Sequence, residues 1–385
     1  MSHLIKIGYN VRMGQIKTLF QGFRWSIFLP VIGLSFLGLV TMYSHVGENL
    51  FFNRQLLWLG VATSALLLAV IPDYRFLRTG NTAFIIFIVT VCLLILVLFV
   101  GEVTLGAQSR FNFGFFSFQP SDPAKLALII LLAKYFAKRH EEIGDFRHIL
   151  ISGLYALTIF GLVFIQPDFG SAAILFLVWL GMVLVSGIRF RHLATVFFIG
   201  VVAFTVMWQF IFLDYQKERI MTFVNPLSDI QGSGYNAYQS TVAIGSGGLM
   251  GKGVGYGTQS KLLFLPEYET DFIFAAYAEE WGLSGVLILF ALFGFLVYQL
   301  LKSSVHAASN FERLFAAGVT ILLVAHFFIH VGMNIGLLPV TGTTIPFLSY
   351  GGSHLLTEFI AVGMVMGMRR YASSSASNVE IDVPE

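Results

Sequence analysis

The feature that most constrains the fold of this chain is a series of apolar runs that contain no charged residue. A helix of about 20 apolar residues is long enough to cross a bilayer. Seven such runs stand out, at residues 25–47, 55–72, 82–101, 148–167, 169–188, 192–213 and 281–301. Only 11% of all residues are charged, against roughly 25% in an average soluble domain. The sequence therefore predicts a polytopic membrane protein.

Three more helices complete the expected fold. Residues 119–138 form an apolar pattern that Asp122 and Lys125 interrupt, and residues 314–357 are uncharged but too long for one helix. Pro339 and Pro346 divide this stretch into a helix, a re-entrant or surface loop, and a last helix that ends near Met368. We expect an all-α polytopic membrane protein of ten transmembrane helices, with a long extracytoplasmic loop at 214–270 between helices 7 and 8. Residues 1–370 form one domain, and 371–385 a disordered cytoplasmic tail.

The distribution of basic residues predicts the orientation. With ten helices both termini lie on one side of the membrane, and most of the 23 lysines and arginines fall on that side. Because short cytoplasmic loops are rich in such residues, the sequence predicts cytoplasmic termini and an outward-facing loop at 214–270.

Several kinds of site are excluded or disfavoured. The chain has one cysteine, so it has neither a disulfide framework nor a cysteine-based metal site. Gly251-Lys252-Gly253 lacks the remaining residues of a nucleotide-binding P-loop. Lys252 could instead contact an anionic headgroup. His326 and His330 have the i, i+4 spacing of metal ligands but no third ligand nearby, which favours packed or hydrogen-bonded histidines.

Five polar residues mark the predicted outer side of the membrane. They are Arg54, Asp122, Lys125, Asp168 and Asp271. Charged residues next to or within membrane helices are candidates for function. These residues could instead have purely structural roles. Asp122 and Lys125 can form a local i, i+3 ion pair, and an aspartate at the start of a helix can be its N-cap.

Asp271 is the strongest candidate for chemistry. It precedes the uncharged run at Trp281 by a distance of about 15 Å along a helix, which places it near the headgroup level. Glu279 and Glu280 point about 80° and 180° away from it around the helix, so no carboxylate pair forms. A single carboxylate can act as a general base when the leaving group, such as a diphosphate, needs no proton.

The motifs of the chain resemble the SEDS family (shape, elongation, division and sporulation), and more closely its elongation branch. The matching stretches occur in the family's order: Gly106-Ala107, Phe118-Gln119-Pro120-Ser121-Asp122, Lys125, Gln166-Pro167-Asp168, Ala243-Ile244-Gly245-Ser246-Gly247-Gly248, Gly251-Lys252-Gly253, Gly257-Thr258-Gln259, Pro266-Glu267, Thr270-Asp271-Phe272-Ile273-Phe274 and Pro346-Phe347-Leu348-Ser349-Tyr350-Gly351-Gly352-Ser353.

The resemblance implies a peptidoglycan glycosyltransferase of the bacterial cytoplasmic membrane. Such an enzyme polymerises lipid II at the outer face, releases undecaprenyl diphosphate, and works with a class B penicillin-binding protein, the transpeptidase of the elongation machinery. The resemblance puts the essential aspartate on Asp271, and substrate-binding positions on Arg54, Asp122, Lys125 and Asp168. A divalent cation, Mg²⁺ or Mn²⁺, is an open expectation. The rival hypothesis is a flippase for the same lipid, which would need a polar path through the midplane of the membrane.

Three positions depart from the family's pattern. Arg110 is displaced and the tryptophan that normally follows is absent, Asp122 replaces a glutamate, and His354 replaces a serine.

Overall fold

The computed structural model describes residues 23–43, 50–104, 107–114, 116–139, 145–187, 190–210, 212, 214–225, 233–262 and 264–379. The helices, in chain order, are α1 (Trp25–Tyr43), α2 (Leu50–Ala69), α3 (Arg75–Arg78), α4 (Thr82–Val100), α5 (Ser121–Ala137), α6 (Phe146–Ile165), α7 (Phe169–Val185), α8 (Phe190–Phe210), α9 (Asp214–Val224), α10 (Ser233–Ser246), α11 (Thr258–Lys261), α12 (Ile273–Val305), α13 (Asn310–Asn334) and α14 (Gly352–Val379).

A long helix occurs at each place where the sequence predicts a span. Six of them, α1, α2, α4, α6, α12 and α13, are long and apolar enough to cross a membrane within the described residues. Shorter apolar helices occur at 169–185, 194–210 and 352–368. The fold is therefore that of a mostly helical, multi-pass membrane protein, while the exact number of ten spans stays a prediction.

Helices α5 and α13 form the centre of the bundle. Helix α13 packs against α5, α7 and α12, and α5 also contacts α4 and α7. Nearly every residue of α5 is buried, including Asp122 and Lys125. Neighbouring helices surround α5 and shield these two charges from lipid. This position explains why the sequence of α5 is interrupted by charged residues, unlike the other predicted spans.

Helix α12 is broken at Gly282, whose φ of 64° lies in the left-handed region. The glycine-rich segment 247–257 lies against the break, and its backbone amides donate to the carbonyl oxygens of Glu279 and Glu280. A Cβ atom at Gly251 would lie 2.1 Å from the Glu280 carbonyl oxygen. Glycine is thus needed here because two backbones approach closely.

Residues 335–351 form an irregular segment that returns into the protein rather than covering its surface. Ile345, Phe347 and Leu348 are almost completely buried, so of the two alternatives the re-entrant loop is the one observed. The backbone N–H of Phe347 donates to Glu358 Oε2 at 3.0 Å, and Gln55 Nε2 donates to the Ser349 carbonyl oxygen at 3.0 Å. These bonds satisfy polar groups that lipid could not.

Two features differ from the expected fold. A small antiparallel sheet, β1 (Glu102–Thr104), β2 (Ala107–Asn112) and β3 (Ser117–Phe118), follows α4. The last helix continues to Val379, beyond the expected end of order at residue 370. No proline or glycine lies between residues 368 and 379, and an established helix adds residues easily in the absence of such breakers. Residues 380–385 of the predicted tail lie outside the described residues.

Candidate functional site

One polar cavity of about 420 Å³ lies where the sheet, the re-entrant segment and the ends of several helices meet. Charged side chains of both signs line it: Arg54, Glu102, Arg110, Asp122, Lys125, Glu267 and Asp271. His326, Ser353 and His354 also contribute to its wall. Four of the six predicted site residues, Arg54, Asp122, Lys125 and Asp271, are thereby brought together from distant parts of the sequence.

Asp271 lies two residues before α12 begins, and its backbone is fixed by consecutive hydrogen bonds. The carbonyl oxygen of Glu269 accepts from the Tyr350 backbone N–H at 2.8 Å. The carbonyl oxygen of Thr270 accepts from Ser349 Oγ at 2.9 Å. That of Asp271 accepts from Asn334 Nδ2 at 3.0 Å. The re-entrant segment and the end of α13 thus fix the backbone of residues 269–271, while the Asp271 carboxylate lines the cavity.

Gly342 keeps space open beside the Asp271 carboxylate. A Cβ atom at this position would lie 3.4 Å from Asp271 Oδ2, and the φ of Gly342 is 69°. Glycine adopts such a positive φ without steric cost. The residue therefore serves both the turn of the re-entrant segment and the access to the carboxylate.

The predicted pairing of Asp122 with Lys125 is confirmed, at 3.1 Å and almost completely buried. Ser353 Oγ donates to Asp122 Oδ2 at 2.9 Å. His354 lies 3.4 Å from Asp122 Oδ1 through Nδ1 and 3.0 Å from Glu358 Oε1 through Nε2. Two positions that depart from the family's pattern, Asp122 and His354, are therefore in direct contact.

Asp168 lies behind the cavity wall rather than on it. Its Oδ1 accepts from the Ser171 backbone N–H at 3.1 Å, which caps α7. Its Oδ2 accepts from Gln119 Nε2 at 2.8 Å. Gln119 lines the cavity and also accepts from Arg110 Nε at 3.1 Å. Asp168 is therefore a helix cap and, through Gln119, a support for the cavity rim.

Lys252 is not brought to the cavity. Its Nζ lies 2.7 Å from Glu279 Oε1 and donates to Thr258 Oγ1 at 2.7 Å. Glu279, completely buried, also accepts from the backbone N–H groups of Gln259 and Ser260. These contacts join the glycine-rich segment to α12, so the observed role of Lys252 is to neutralise a buried carboxylate.

Sequence reasoning missed some of the residues that the cavity contains. Arg110 reaches the cavity on strand β2, and a departure from a motif was its only signal. His326 Nδ1 lies 3.2 Å from the Thr344 carbonyl oxygen; this carbonyl can only accept, so Nδ1 carries a proton. No hydrogen-bond partner of His326 Nε2 occurs among the described residues. His326 and His330, which we expected to be packed or hydrogen-bonded, both bond to backbone carbonyls of the re-entrant segment.

The described residues do not build a metal centre from their own side chains. Within the ranges given above, no group of three or more His, Cys, Asp or Glu residues is placed to hold a metal ion. The expected divalent cation therefore stays a prediction, and a cation bound here would need ligands from the substrate as well.

These features define a class: a multi-pass helical membrane protein with a charged cavity at one end of its bundle. Residues 18–374 match the family model FtsW/RodA/SpoVE, described as "Cell cycle protein". This chain belongs to that family, which confirms the resemblance noted from its motifs.

Curated relatives and solved structures agree with the assignment. The chain is 37% identical to peptidoglycan glycosyltransferase MrdB of Escherichia coli K12, over 76% of this chain and 79% of that protein. It is 34% identical to stage V sporulation protein E of Bacillus subtilis, over 87% and 94%. A peptidoglycan synthase complex that coordinates polymerization and crosslinking contains a chain with 29% identity and a TM-score of 0.78, covering 91% of this chain and 98% of that one. Rod shape determining protein RodA of Thermus thermophilus gives 28% identity and a TM-score of 0.67, covering 90% and 97%.

Proposed function

We propose that this protein is a peptidoglycan glycosyltransferase that polymerises lipid II during cell elongation, with Asp271 as the general base. Relatives 37% identical carry the name peptidoglycan glycosyltransferase. The observation that carries the assignment of Asp271 is its position: a carboxylate fixed by its backbone, on the wall of a cavity that also holds Arg54 and Lys125.

The reaction needs one proton acceptor and a stabiliser for the departing diphosphate. Asp271 takes the proton of the acceptor sugar's hydroxyl while its oxygen attacks the anomeric carbon of the donor sugar. The bond from that carbon to the diphosphate oxygen breaks, and undecaprenyl diphosphate leaves with the electron pair. Arg54 and Lys125 stabilise the negative charge that develops on the diphosphate. Because the leaving group is already a stable anion, no second carboxylate is needed as an acid.

Asp122 has an organising role in this scheme. It pairs with Lys125 at 3.1 Å and accepts from Ser353, so it fixes the direction in which the ammonium group points. Asp168 fixes Gln119 in the same manner at the rim. Neither needs to contact the sugar, which gives them positioning roles.

The family and the charge distribution support a setting for the reaction. We place the protein in the bacterial cytoplasmic membrane, with both termini in the cytoplasm and the cavity on the outer side. One structural relative belongs to a synthase complex that couples polymerization to crosslinking, which supports a class B penicillin-binding protein as partner. We expect the protein alone to turn lipid II over slowly, and the partner to raise that rate.

The depth of the polar residues argues against the flippase hypothesis. Among the titratable residues of the cavity, His326 lies farthest along its helix, eight residues before the end of α13. At about 1.5 Å per residue, the polar wall reaches about 12 Å from that end. Glu279 accepts from Lys252 Nζ and Glu280 from the Gly255 backbone N–H, so both bind the glycine-rich segment instead of lining a path. A continuous polar route would have to span a core of about 30 Å.

Polymerisation of purified lipid II tests the proposal. The wild-type protein with its partner transpeptidase is reconstituted in vesicles that carry lipid II, and both glycan strands and transfer of lipid II across the bilayer are measured. Glycan strands without transbilayer movement are the expected result. Transfer of lipid II without glycan strands, in vesicles where a known polymerase succeeds, would refute the glycosyltransferase and favour the flippase.

A further inference from the structure

The carboxylate of Asp122 is held by partners from two helices. Its Oδ1 lies 3.1 Å from Lys125 Nζ on its own helix, α5, and 3.4 Å from His354 Nδ1 on α14. Its Oδ2 accepts from Ser353 Oγ, also on α14, at 2.9 Å. The last torsion of an aspartate side chain is soft and has only broad preferences. These contacts therefore decide in which direction Oδ1 points.

His354 is in turn held by a buried carboxylate on its other side. Its Nε2 lies 3.0 Å from Glu358 Oε1, one turn farther along α14. Glu358 Oε2 accepts from the Phe347 backbone N–H at 3.0 Å, which fixes this carboxylate to the re-entrant segment. Each ring nitrogen of His354 thus faces a carboxylate oxygen. An imidazolium satisfies both contacts because both of its nitrogens donate, whereas a neutral imidazole has one donor.

The charges of this cluster balance when His354 is an imidazolium. Asp122 and Glu358 are acidic and Lys125 is basic, and each of these side chains is buried, as is His354. Because a buried charge without a partner is costly, two positive and two negative charges are the favourable combination. His354 and Lys125 therefore approach the same oxygen of Asp122 as two cations from two directions.

From this geometry we infer that His354 is a positioning residue of the proposed reaction, which acts through Asp122 on Lys125. The inference rests on the role proposed for Lys125, the stabilisation of the departing diphosphate. Contacts from α14 keep the Asp122 carboxylate turned so that Oδ1 faces Lys125, and the ammonium group stays on the cavity wall. Without the His354 contact the carboxylate can turn about its soft torsion, and the ammonium group moves with it.

The lengths of the two side chains are matched to each other. A glutamate at position 122, as in the family's pattern, would carry its carboxylate about 1.5 Å farther, toward the space that the His354 ring occupies. A serine at position 354, as in the same pattern, would leave that space empty. Asp122 with His354 therefore fills the space that a glutamate and a serine would share, and either exchange alone should misplace the carboxylate.

The first test separates the two contacts of the His354 ring. In His354→Asn the amide nitrogen can take the place of Nδ1 and donate to Asp122, and in His354→Gln it can take the place of Nε2 and donate to Glu358. Lipid II polymerisation with the partner transpeptidase and thermal unfolding are measured for both. His148→Gln is the matched control, because His148 is also 7% exposed and bonds to Tyr135, near the other end of α5.

We expect kcat of His354→Asn to stay within about threefold of wild type, and that of His354→Gln to fall about tenfold. KM should change less than kcat, because Lys125 acts on charge that develops in the transition state. His148→Gln should lower the unfolding temperature and leave kcat unchanged. Equal kcat values for the two His354 variants, or a lower value for His354→Asn, would overturn the inference. Absence of glycan strands from the wild-type protein would instead overturn the proposed function.

The second test exchanges the two matched side chains. Asp122→Glu and His354→Ser should each lower kcat about tenfold, and the double variant should recover to within about threefold of wild type. A double variant whose loss equals the product of the two single losses would show that the residues act independently, and would overturn the inference. This exchange also decides the matter should an amide variant fail to fold, because the longer carboxylate fills the space that the serine leaves.

Discussion

Asn334 offers the sharpest test of how the protein positions its general base. This buried amide ends α13 and donates from Nδ2 to the carbonyl oxygens of Asp271 and His330. Its Oδ1 accepts from the Ala275 backbone N–H at 3.2 Å, in the first turn of α12, and lies 3.4 Å from Ser240 Oγ. One side chain thus joins the catalytic aspartate to three helices.

The substitution Asn334→Ala should affect both stability and rate. A buried backbone group that loses its partner costs about 1–3 kcal/mol. Because the backbone groups of Asp271 and Ala275 each lose a partner, we expect the free energy of unfolding to fall by about 2–6 kcal/mol. A shift of the Asp271 carboxylate on the order of 1 Å would lower kcat about 100-fold.

The assay compares thermal unfolding with lipid II polymerisation at a temperature where every variant is folded. Ser240→Ala is the control, because it removes a neighbouring hydroxyl and leaves the bond to Asp271 intact. Its kcat should stay near wild type. A kcat for Asn334→Ala that matches the Ser240→Ala value, despite the loss of stability, would refute the claim that Asn334 positions Asp271.

Three further predictions concern buried charges. Lys252→Met should lower the unfolding temperature, because it leaves the buried carboxylate of Glu279 without its cation, and should leave KM for lipid II unchanged; a higher KM at an unchanged unfolding temperature would instead support a headgroup contact. His354→Leu should destabilise the protein by about 3 kcal/mol, and in a double-mutant cycle with Glu358→Leu the two losses should not add; additive losses would contradict their pairing. Burial raises the pKa of Glu269 in the loop before α12, so its contribution to stability is complete below its unfolded-state pKa and is lost as pH rises through the folded-state pKa. Unfolding temperatures from pH 4 to 8 should therefore fall less in Glu269→Gln than in wild type, and parallel curves would contradict this.

The long apolar runs made most of the fold predictable. A membrane helix satisfies its own backbone and needs only length and hydropathy, both of which are local properties of the sequence. Local spacing was likewise sufficient for the ion pair of Asp122 and Lys125. The sheet at residues 102–118 was missed because its strands have at most six residues. In so short a strand, little periodicity can develop.

The cavity itself depends on contacts that no local pattern contains. Arg54 and Asp271 were selected as polar residues at helix ends, and the fold brings them to one cavity. Lys252 was selected as a lysine between two glycines that could contact an anionic headgroup, yet it neutralises Glu279, which lies 27 residues away in the sequence. A lysine among glycines looks the same in the sequence whether its partner is a lipid phosphate or a buried carboxylate, and the tertiary fold decides between them.

The irregular segment 335–351 shows a similar limit. Its prolines predicted a break between two helices, but not whether the segment stays at the surface. The segment can be buried because side chains satisfy its polar backbone groups: Gln55 bonds to Ser349 and Glu358 to Phe347. Asn334 does the same for the neighbouring backbone of Asp271. Each of these partners comes from a different helix.

The most direct test of the central claim compares two carboxylates that line the same cavity. Asp271→Asn keeps the shape of the side chain but removes the proton acceptor, and Glu267→Gln makes the same change on an exposed neighbour four residues earlier. Both variants, purified with the partner transpeptidase, are assayed for glycan strands from lipid II and for thermal unfolding. We predict that both fold, that Glu267→Gln polymerises lipid II within a few-fold of wild type, and that Asp271→Asn loses at least about 100-fold in kcat. Polymerisation by folded Asp271→Asn at the rate of Glu267→Gln would contradict the assignment of Asp271 as the general base.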